Sequence, residues 1–252
     1  MRRILLQVAY DGTGYCGWQY QPGHPTIEGS LNNAIKELTG EEIAVIGASR
    51  TDSGVHALAN MAVFDTESPI PGDRFSFALN TKLPDDIRVV SSKEVEPDFH
   101  PRHVSCEKTY EYHIYNAGFM PPTMRNYRFH EARLLDVDAM NAGGAYLVGT
   151  HDFKAFCSAD TSALTTVRTI KSLRVEKEGN ELTISVTGTG FLYNMVRIIA
   201  GTLMWVGLGV RTSEDVKKAL ESCDRSQTGP TAPACGLILA EFKFLNNIAE
   251  FE

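Results

Sequence analysis

In "GASRTDSGVHA", residues 47–57, an arginine, a threonine and an aspartate are followed by Ser-Gly and closed by a histidine. Aspartate beside glycine reads first as a turn, because the carboxylate can bond its own main chain and glycine accepts positive φ. A carboxylate is also a sufficient nucleophile, so Asp52 has a chemical reading beside the structural one. Arg50 and Asp52 are two residues apart at the end of an apolar run, and in an extended chain both leave the same face. Together they could enter one cleft. The plainer alternative is a surface arginine next to a turn aspartate.

Lys108, Tyr110 and Tyr112 also share one strand face by their period of two. Cations alternating with aromatics on an open sheet face can neutralise phosphates and stack nucleobases, whereas ordinary strand propensity is the simpler account of Tyr112. Arg197 sits inside the apolar run "FLYNMVRIIAGTLM". A charge there must reach water or find a partner, since removing the partner of a buried charge costs about 3–5 kcal/mol. Spacing does not identify the carboxylate. The histidines and cysteines show no metal-ligand spacing, and "DGTGYCG" and "GTGF" match neither a phosphate loop nor a dinucleotide fingerprint. There is no G-x-S-x-G motif.

These residues need elements to carry them. "RILLQVAY" (3–10) reads as a strand, "TIEGSLNNAIKELTG" (26–40) as a helix through Ile27, Leu31, Ile35 and Leu38, and "EIAVIGA" (42–48) and "ALANMAVFDT" (57–66) as strands flanking the Asp52 segment. A short helix within "GDRFSFALNTKL" and a strand over 86–95 complete a β-α-β-β-α-β order. The second half repeats it, with a strand over 108–116, a helix over 136–149 and a hairpin turning at Gly179-Asn180. Helices over 191–207 and 212–223 and a strand over 236–244 follow. The expected class is α+β, two ferredoxin-like halves with their sheets joined edge to edge around a central cleft. "PDFHPRHVSC" (97–106) reads as the linker, because Pro97 and Pro101 interrupt regular structure. The expected parts are residues 1–105, residues 106–245 and a tail over 246–252.

The chain has 252 residues, of which 43% are hydrophobic, enough for a substantial core. Five cysteines, Cys16, Cys106, Cys157, Cys223 and Cys235, include no C-x-x-C pair and read as free thiols of a reducing cytoplasm. The N-terminal apolar stretch is broken by Gln7 and Asp11 and is not a secretion signal. "IIAGTLMWVGLGV" (198–210) is too short to span a bilayer. A net charge of −7 argues against coating nucleic acid by bulk positive charge, and leaves room for a local basic cleft.

"SRTDSGVHA" resembles the signature around the catalytic aspartate of the tRNA pseudouridine synthase A family. "YDGTGYCGWQYQP", "EKTYEYHIYN", "GTGFLYNMVRIIAGTL" and "TGPTAPACGLILAEF" resemble further family segments, in order, along nearly the whole chain. Ser49 stands where the family usually has glycine. The resemblance implies the pseudouridine synthase fold and isomerisation of uridine to pseudouridine at nucleotides 38, 39 and 40 of the tRNA anticodon arm. It implies no cofactor, no required metal, a homodimer, and tRNA as the partner. Carried onto this chain, it makes Asp52 the catalytic aspartate, Tyr110 the aromatic against the target uracil, and Arg197 the charge partner of the aspartate. By the same route Arg50 holds the target nucleotide out of the stack and Leu237 packs in the pocket. Two other classes fit parts of the pattern: an RNA-binding module without catalysis, and a carboxylate-dependent hydrolase of glycosidic bonds. The hydrolase usually needs two carboxylates, and no second acid stands out near Asp52.

Overall fold

The computed structural model describes residues 1–158 and 163–245, so the tail expected over 246–252 lies outside the described residues. The architecture is α+β. The chain divides into two compact units, Met1–Cys106 joined by the segment from Leu239 onward, and Glu107–Ile238.

In the first unit β1 (Arg2–Tyr10) lies between β3 (His56–Thr66) and β4 (Ile87–Val95), antiparallel to both. The short β2 (Ile46–Gly47) pairs with β3 through Ile46–Val63 and Gly47–Ala62. The order 4-1-3-2 is that of a ferredoxin-like half. Residues 239–244 of β10 (Leu237–Phe244) add a further strand beside β3. Successive residues Ile4, Leu5 and Leu6 are all fully buried, which means both faces of β1 are covered. On one face Leu5, Met61 and Val63 pack with Phe99, Phe242 and Phe244. On the other, Phe64 meets Phe75 edge-on with ring centroids 5.3 Å apart.

Phe75 opens α2 (Phe75–Asn80). α1 (Ile27–Thr39) starts where the Thr26 side chain accepts the Gly29 N–H and stops at Gly40, whose φ is 78°. It buries Ile27, Leu31, Ala34 and Ile35, each large side chain contributing about 1.5–3 kcal/mol.

In the second unit β5 (Cys106–Tyr115) pairs with β9 (Glu181–Gly188), and β9 with β8 (Val167–Glu178), all antiparallel. β7 (Gly149–Asp152) extends the sheet beyond β8, and β6 (Phe129–His130) runs parallel to β5. Alternate residues of β9, Leu182, Ile184 and Val186, face the core. Helices α3 (Val137–Ala145), α4 (Met195–Gly207) and α5 (Ser213–Ser222) pack together, with α3 also lying on β8. No helix among the described residues is long and apolar enough to cross a membrane.

Candidate active site

Asp52 lies in the segment between β2 and β3, partly exposed. Its main chain does make the turn: the Asp52 carbonyl accepts the Val55 N–H at 3.1 Å, and Gly54 takes the left-handed conformation at φ 77°. The turn is closed by a backbone bond.

The turn rests on residues 12–18. Trp18 N donates to the Thr51 carbonyl at 3.0 Å, while Gly54 N and the Ser53 hydroxyl both donate to the Tyr15 carbonyl, at 3.2 and 3.1 Å. The approach is close enough to exclude side chains. A Cβ on Gly12 would lie 2.0 Å from the Val55 oxygen, and Gly17, at φ 87°, would put one 2.7 Å from the Thr51 oxygen. Gly12 N also donates to His56 Nδ1 at 3.1 Å, and His56 is buried beside Asp11. The Tyr15 hydroxyl donates to Asp86 at 2.6 Å; burial first, and then that bond, push its pKa well above the usual phenol.

The segment that delivers Arg50 and Asp52 is held from behind by a buried amide. Asn60, fully buried on β3, accepts the Ser49 N–H at 3.2 Å and donates to the Ser49 carbonyl at 2.9 Å, so its side chain replaces a strand neighbour. It donates as well to the Tyr10 hydroxyl at 3.2 Å, which in turn lies 2.7 Å from the Thr51 hydroxyl. The Ser49 hydroxyl is buried without a hydrogen-bond partner among the described residues. Arg50 is exposed.

The second unit carries the remaining expected residues. Tyr110 on β5 is buried, its ring edge-on to Phe191 with centroids 5.1 Å apart, so its plane is fixed by packing. Tyr112, on the same face, is a core residue: its hydroxyl donates to the Pro233 carbonyl at 2.9 Å, and burial drives its pKa far up. Leu237 begins β10 and is buried.

Arg197 falls in the first turn of α4, where the helix dipole disfavours a cation by about 0.3–1 kcal/mol. Neutral acceptors anchor it. Its Nε donates to the Ala232 carbonyl and a terminal nitrogen donates to Asn194 Oδ1, each at 2.7 Å. Ala232 N returns a bond to the Arg197 carbonyl at 3.1 Å, and Gly229 N donates to the Thr202 hydroxyl at 2.9 Å, so residues 229–232 are fastened along α4. Asn194 itself is left-handed at φ 59° and donates to Ser158. The guanidinium is therefore aimed by its neighbours before any carboxylate is considered.

Within the first unit the chain brings Arg50 and Asp52 onto one anchored segment. Within the second, Tyr110, Arg197 and Leu237 each sit on a well-packed element. Asn60, Tyr10, Asn194 and Ala232 support the site without any signal in spacing. The close glycines of "DGTGYCG" were a usable clue, since glycines at Gly12 and Gly17 mark backbone approach rather than phosphate binding. No group of three or more histidine, cysteine, aspartate or glutamate residues able to hold a metal ion is found among the described residues.

A sequence profile for a family described as "tRNA pseudouridine synthase" matches residues 6–103 and 145–244. A protein of a Thermoanaerobacter species named "tRNA pseudouridine synthase A" is 48% identical over 239 residues, covering 95% of this chain and 98% of that protein. One of the same name from Acetivibrio thermocellus is 49% identical over 241 residues, covering 96% and 99%. Another from Brevibacillus brevis is 46% identical over 241 residues, with the same coverages.

Proposed function

This chain belongs to the tRNA pseudouridine synthase family, and on that premise we propose that it isomerises uridine to pseudouridine in the anticodon arm of tRNA, at nucleotides 38, 39 and 40, with Asp52 as nucleophile. The observation that carries the assignment of Asp52 is the anchoring of its turn. Three bonds from residues 15 and 18 and a buried amide behind Ser49 hold the segment in place, and fixed placement of a reacting group is worth several kcal/mol of barrier.

The reaction breaks the N1–C1′ glycosidic bond, turns the uracil, joins C5 to C1′ and moves the C5 proton, with N1 protonated at the end. No atom is gained or lost. Asp52 serves by attack at C1′, by attack at C6 of the ring, or by first removing a sugar proton, and every route requires the carboxylate ionised. Arg197 is the proposed charge partner, since a neighbouring arginine lowers a carboxylate pKa by about 1–3 units. Its neutral anchors support that role, because they orient the guanidinium without discharging it. Tyr110, held by Phe191, is the proposed wall for the freed base and a candidate for moving the C5 proton. Leu237 is proposed to pack in the pocket. Arg50 is proposed to fill the space left by a flipped nucleotide, whose unstacking costs a few kcal/mol. The reading extends to a cytoplasmic homodimer that uses neither metal nor cofactor.

The test is release of tritium from tRNA labelled at uracil C5. Wild-type protein should release it and leave pseudouridine in the digest, and Asp52→Asn should bind tRNA and release none. Turnover by Asp52→Asn near the wild-type rate overturns the role of Asp52, and free uracil as product overturns isomerisation in favour of hydrolysis.

A further inference from the structure

Residues 97–106, read from sequence as a linker, belong to the first unit. Phe99 is buried in its core, Pro101 is buried, and Arg3 donates to the Phe99 carbonyl at 2.8 Å. Between these anchors His103 N donates to the His100 carbonyl at 3.0 Å, closing a turn. The two imidazoles stack with centroids 4.0 Å apart and planes 17° from parallel. Arg102 N donates to His100 Nδ1 at 3.2 Å, so that nitrogen is the acceptor and the ring proton sits on Nε2, available as a donor.

Arg102 is the unusual member. Its Nε donates to the Gly47 carbonyl at 2.7 Å, which pins an exposed guanidinium to the end of β2, three residues before Arg50. Burial and then the positive charge of Arg50 lower its pKa, with Glu28 opposing them. The two guanidiniums therefore feel each other. Neither forms a salt bridge among the described residues, whereas Arg2, Arg3, Arg88, Arg128 and Arg133 each do. His100 is held low by burial, by His103, and by Arg102 and Arg3, so near neutral pH it is an uncharged N–H donor.

Two like charges held near each other without a salt bridge, and with only Glu28 opposing them, raise the energy of the free protein, and an anion with several acceptor oxygens relieves that cost. A guanidinium already fixed through Nε keeps its two terminal nitrogens for such a ligand, which suits a phosphate better than a single-atom acceptor. The chain is acidic overall, at −7, so a cationic cluster of this kind is not the expression of general positive charge. We propose that Arg102, together with Arg50 and the His100 imidazole, forms a binding site for a backbone phosphodiester of the RNA substrate. This rests on the reading that the substrate is RNA. It gives Arg102 a role in holding the strand, separate from the chemistry assigned to Asp52.

The test is the salt dependence of binding to an unmodified tRNA transcript. Arg102→Gln keeps an amide N–H for the Gly47 carbonyl and removes the charge. Its slope of log K against log salt should be shallower than wild type by roughly 0.7–0.9, the contribution of one phosphate, with affinity at low salt down roughly tenfold. Lys217→Gln on α5 serves as the control and should leave the slope as it is. An Arg102→Gln protein with wild-type melting temperature and an unchanged slope overturns the proposal. Should the variant fail to fold, wild-type protein is treated with phenylglyoxal and mapped by peptide mass. The transcript should protect Arg102, and inorganic phosphate at the same phosphate concentration should protect it far less. Equal protection by both means a free-anion site, and no protection by either means no site; each result overturns the proposal. Tritium release by the wild-type protein tells this failure from failure of the RNA reading itself.

Discussion

Replacing Asn60 with alanine isolates the part of the structure that places the Asp52 segment. The truncation removes both bonds to Ser49 and the one to Tyr10, in a region where Asn60 is 0% and Ser49 5% exposed. Ser49 is left with an unpaired N–H and an unpaired carbonyl, each costing about 1–3 kcal/mol when buried. The expected loss is about 2–5 kcal/mol, which for a chain of this size lowers the melting temperature by roughly 5–15 °C. Activity should fall further than stability implies. Below the melting transition kcat should drop on the order of 100-fold, the effect of displacing a reacting group by about 1 Å.

Asn60→Asp makes a sharper comparison. It keeps an acceptor for the Ser49 N–H but sets a second oxygen against the Ser49 carbonyl. Its carboxyl is then favoured in the protonated form, which can donate, and its folded pKa rises above the unfolded value. The stability it contributes is present below the unfolded pKa and is lost as pH rises through the folded one. The deficit relative to wild type should therefore be small near pH 4 and grow toward pH 7. Thermal unfolding followed across that range, with tritium release at each pH, measures both effects. If Asn60→Ala melts within about 2 °C of wild type and turns over at the same rate, the amide is not what holds the segment.

Gly12→Ala should cost both stability and kcat, because its Cβ would meet the Val55 oxygen at 2.0 Å, while Gly14→Ala, with nothing within 4 Å, should be near neutral; equal effects in melting and turnover would contradict the clamp. If Arg197 is the proposed charge partner of Asp52, Arg197→Leu should move the acid limb of the kcat/KM profile upward by about 1–3 pH units, since loss of a neighbouring cation raises a carboxylate pKa, and an unmoved limb would separate Arg197 from Asp52. Ser49→Ala removes a buried hydroxyl without a partner among the described residues and should stabilise by up to about 1 kcal/mol, seen as a higher melting temperature. Arg3 holds the Asp65 carboxyl below its usual range through two 2.7 Å bonds. Asp65 is partly exposed, so Asp65→Asn should cost no more than about 1 kcal/mol above pH 5, and the difference should vanish as acid takes the pH through the depressed pKa.

Where local chemistry decides an element, the sequence was legible. α1 is bounded by Thr26 and Gly40 and α5 by the Thr212–Asp215 capping box, and both helices fall within one or two residues of the expected ends. Where distant residues decide, it was not. The strand expected over 42–48 is reduced to Ile46–Gly47, with Ala48 N still reaching the Met61 carbonyl at 2.7 Å, and before it Val45 N is taken by the Asn32 side chain. The helix expected from 191 begins at Met195, since Asn194 adopts a left-handed conformation and spends its side chain on Arg197 and Ser158. The helix expected to reach 149 ends at Ala145, and β7 follows, unforeseen.

The site divides the same way. Asp52 and Arg197 announce themselves by charge in an unusual setting. Asn60, Tyr10 and the Ala232 carbonyl act across tens of residues, where nothing in the neighbouring sequence points to the partner. The segment over 97–106 was obscured by its prolines, one of which is a buried fixture of the turn that carries Arg102.

The assignment of residues 239–244 to the first unit has a consequence for synthesis. A ribosome delivers β1 to β4 early, yet the strand beside β3, with Phe242 and Phe244 for the shared core, emerges only after more than a hundred further residues. Until then the nascent unit shows an unpaired strand edge and an apolar surface around Met61 and Val63, the condition under which chains associate wrongly. Closing so long a loop adds little to the free energy but delays the last step. Ribosome-bound chains halted once β1 to β4 have all left the exit tunnel should accordingly be protease-sensitive and chaperone-dependent, and should become resistant only when the final strand has cleared it as well.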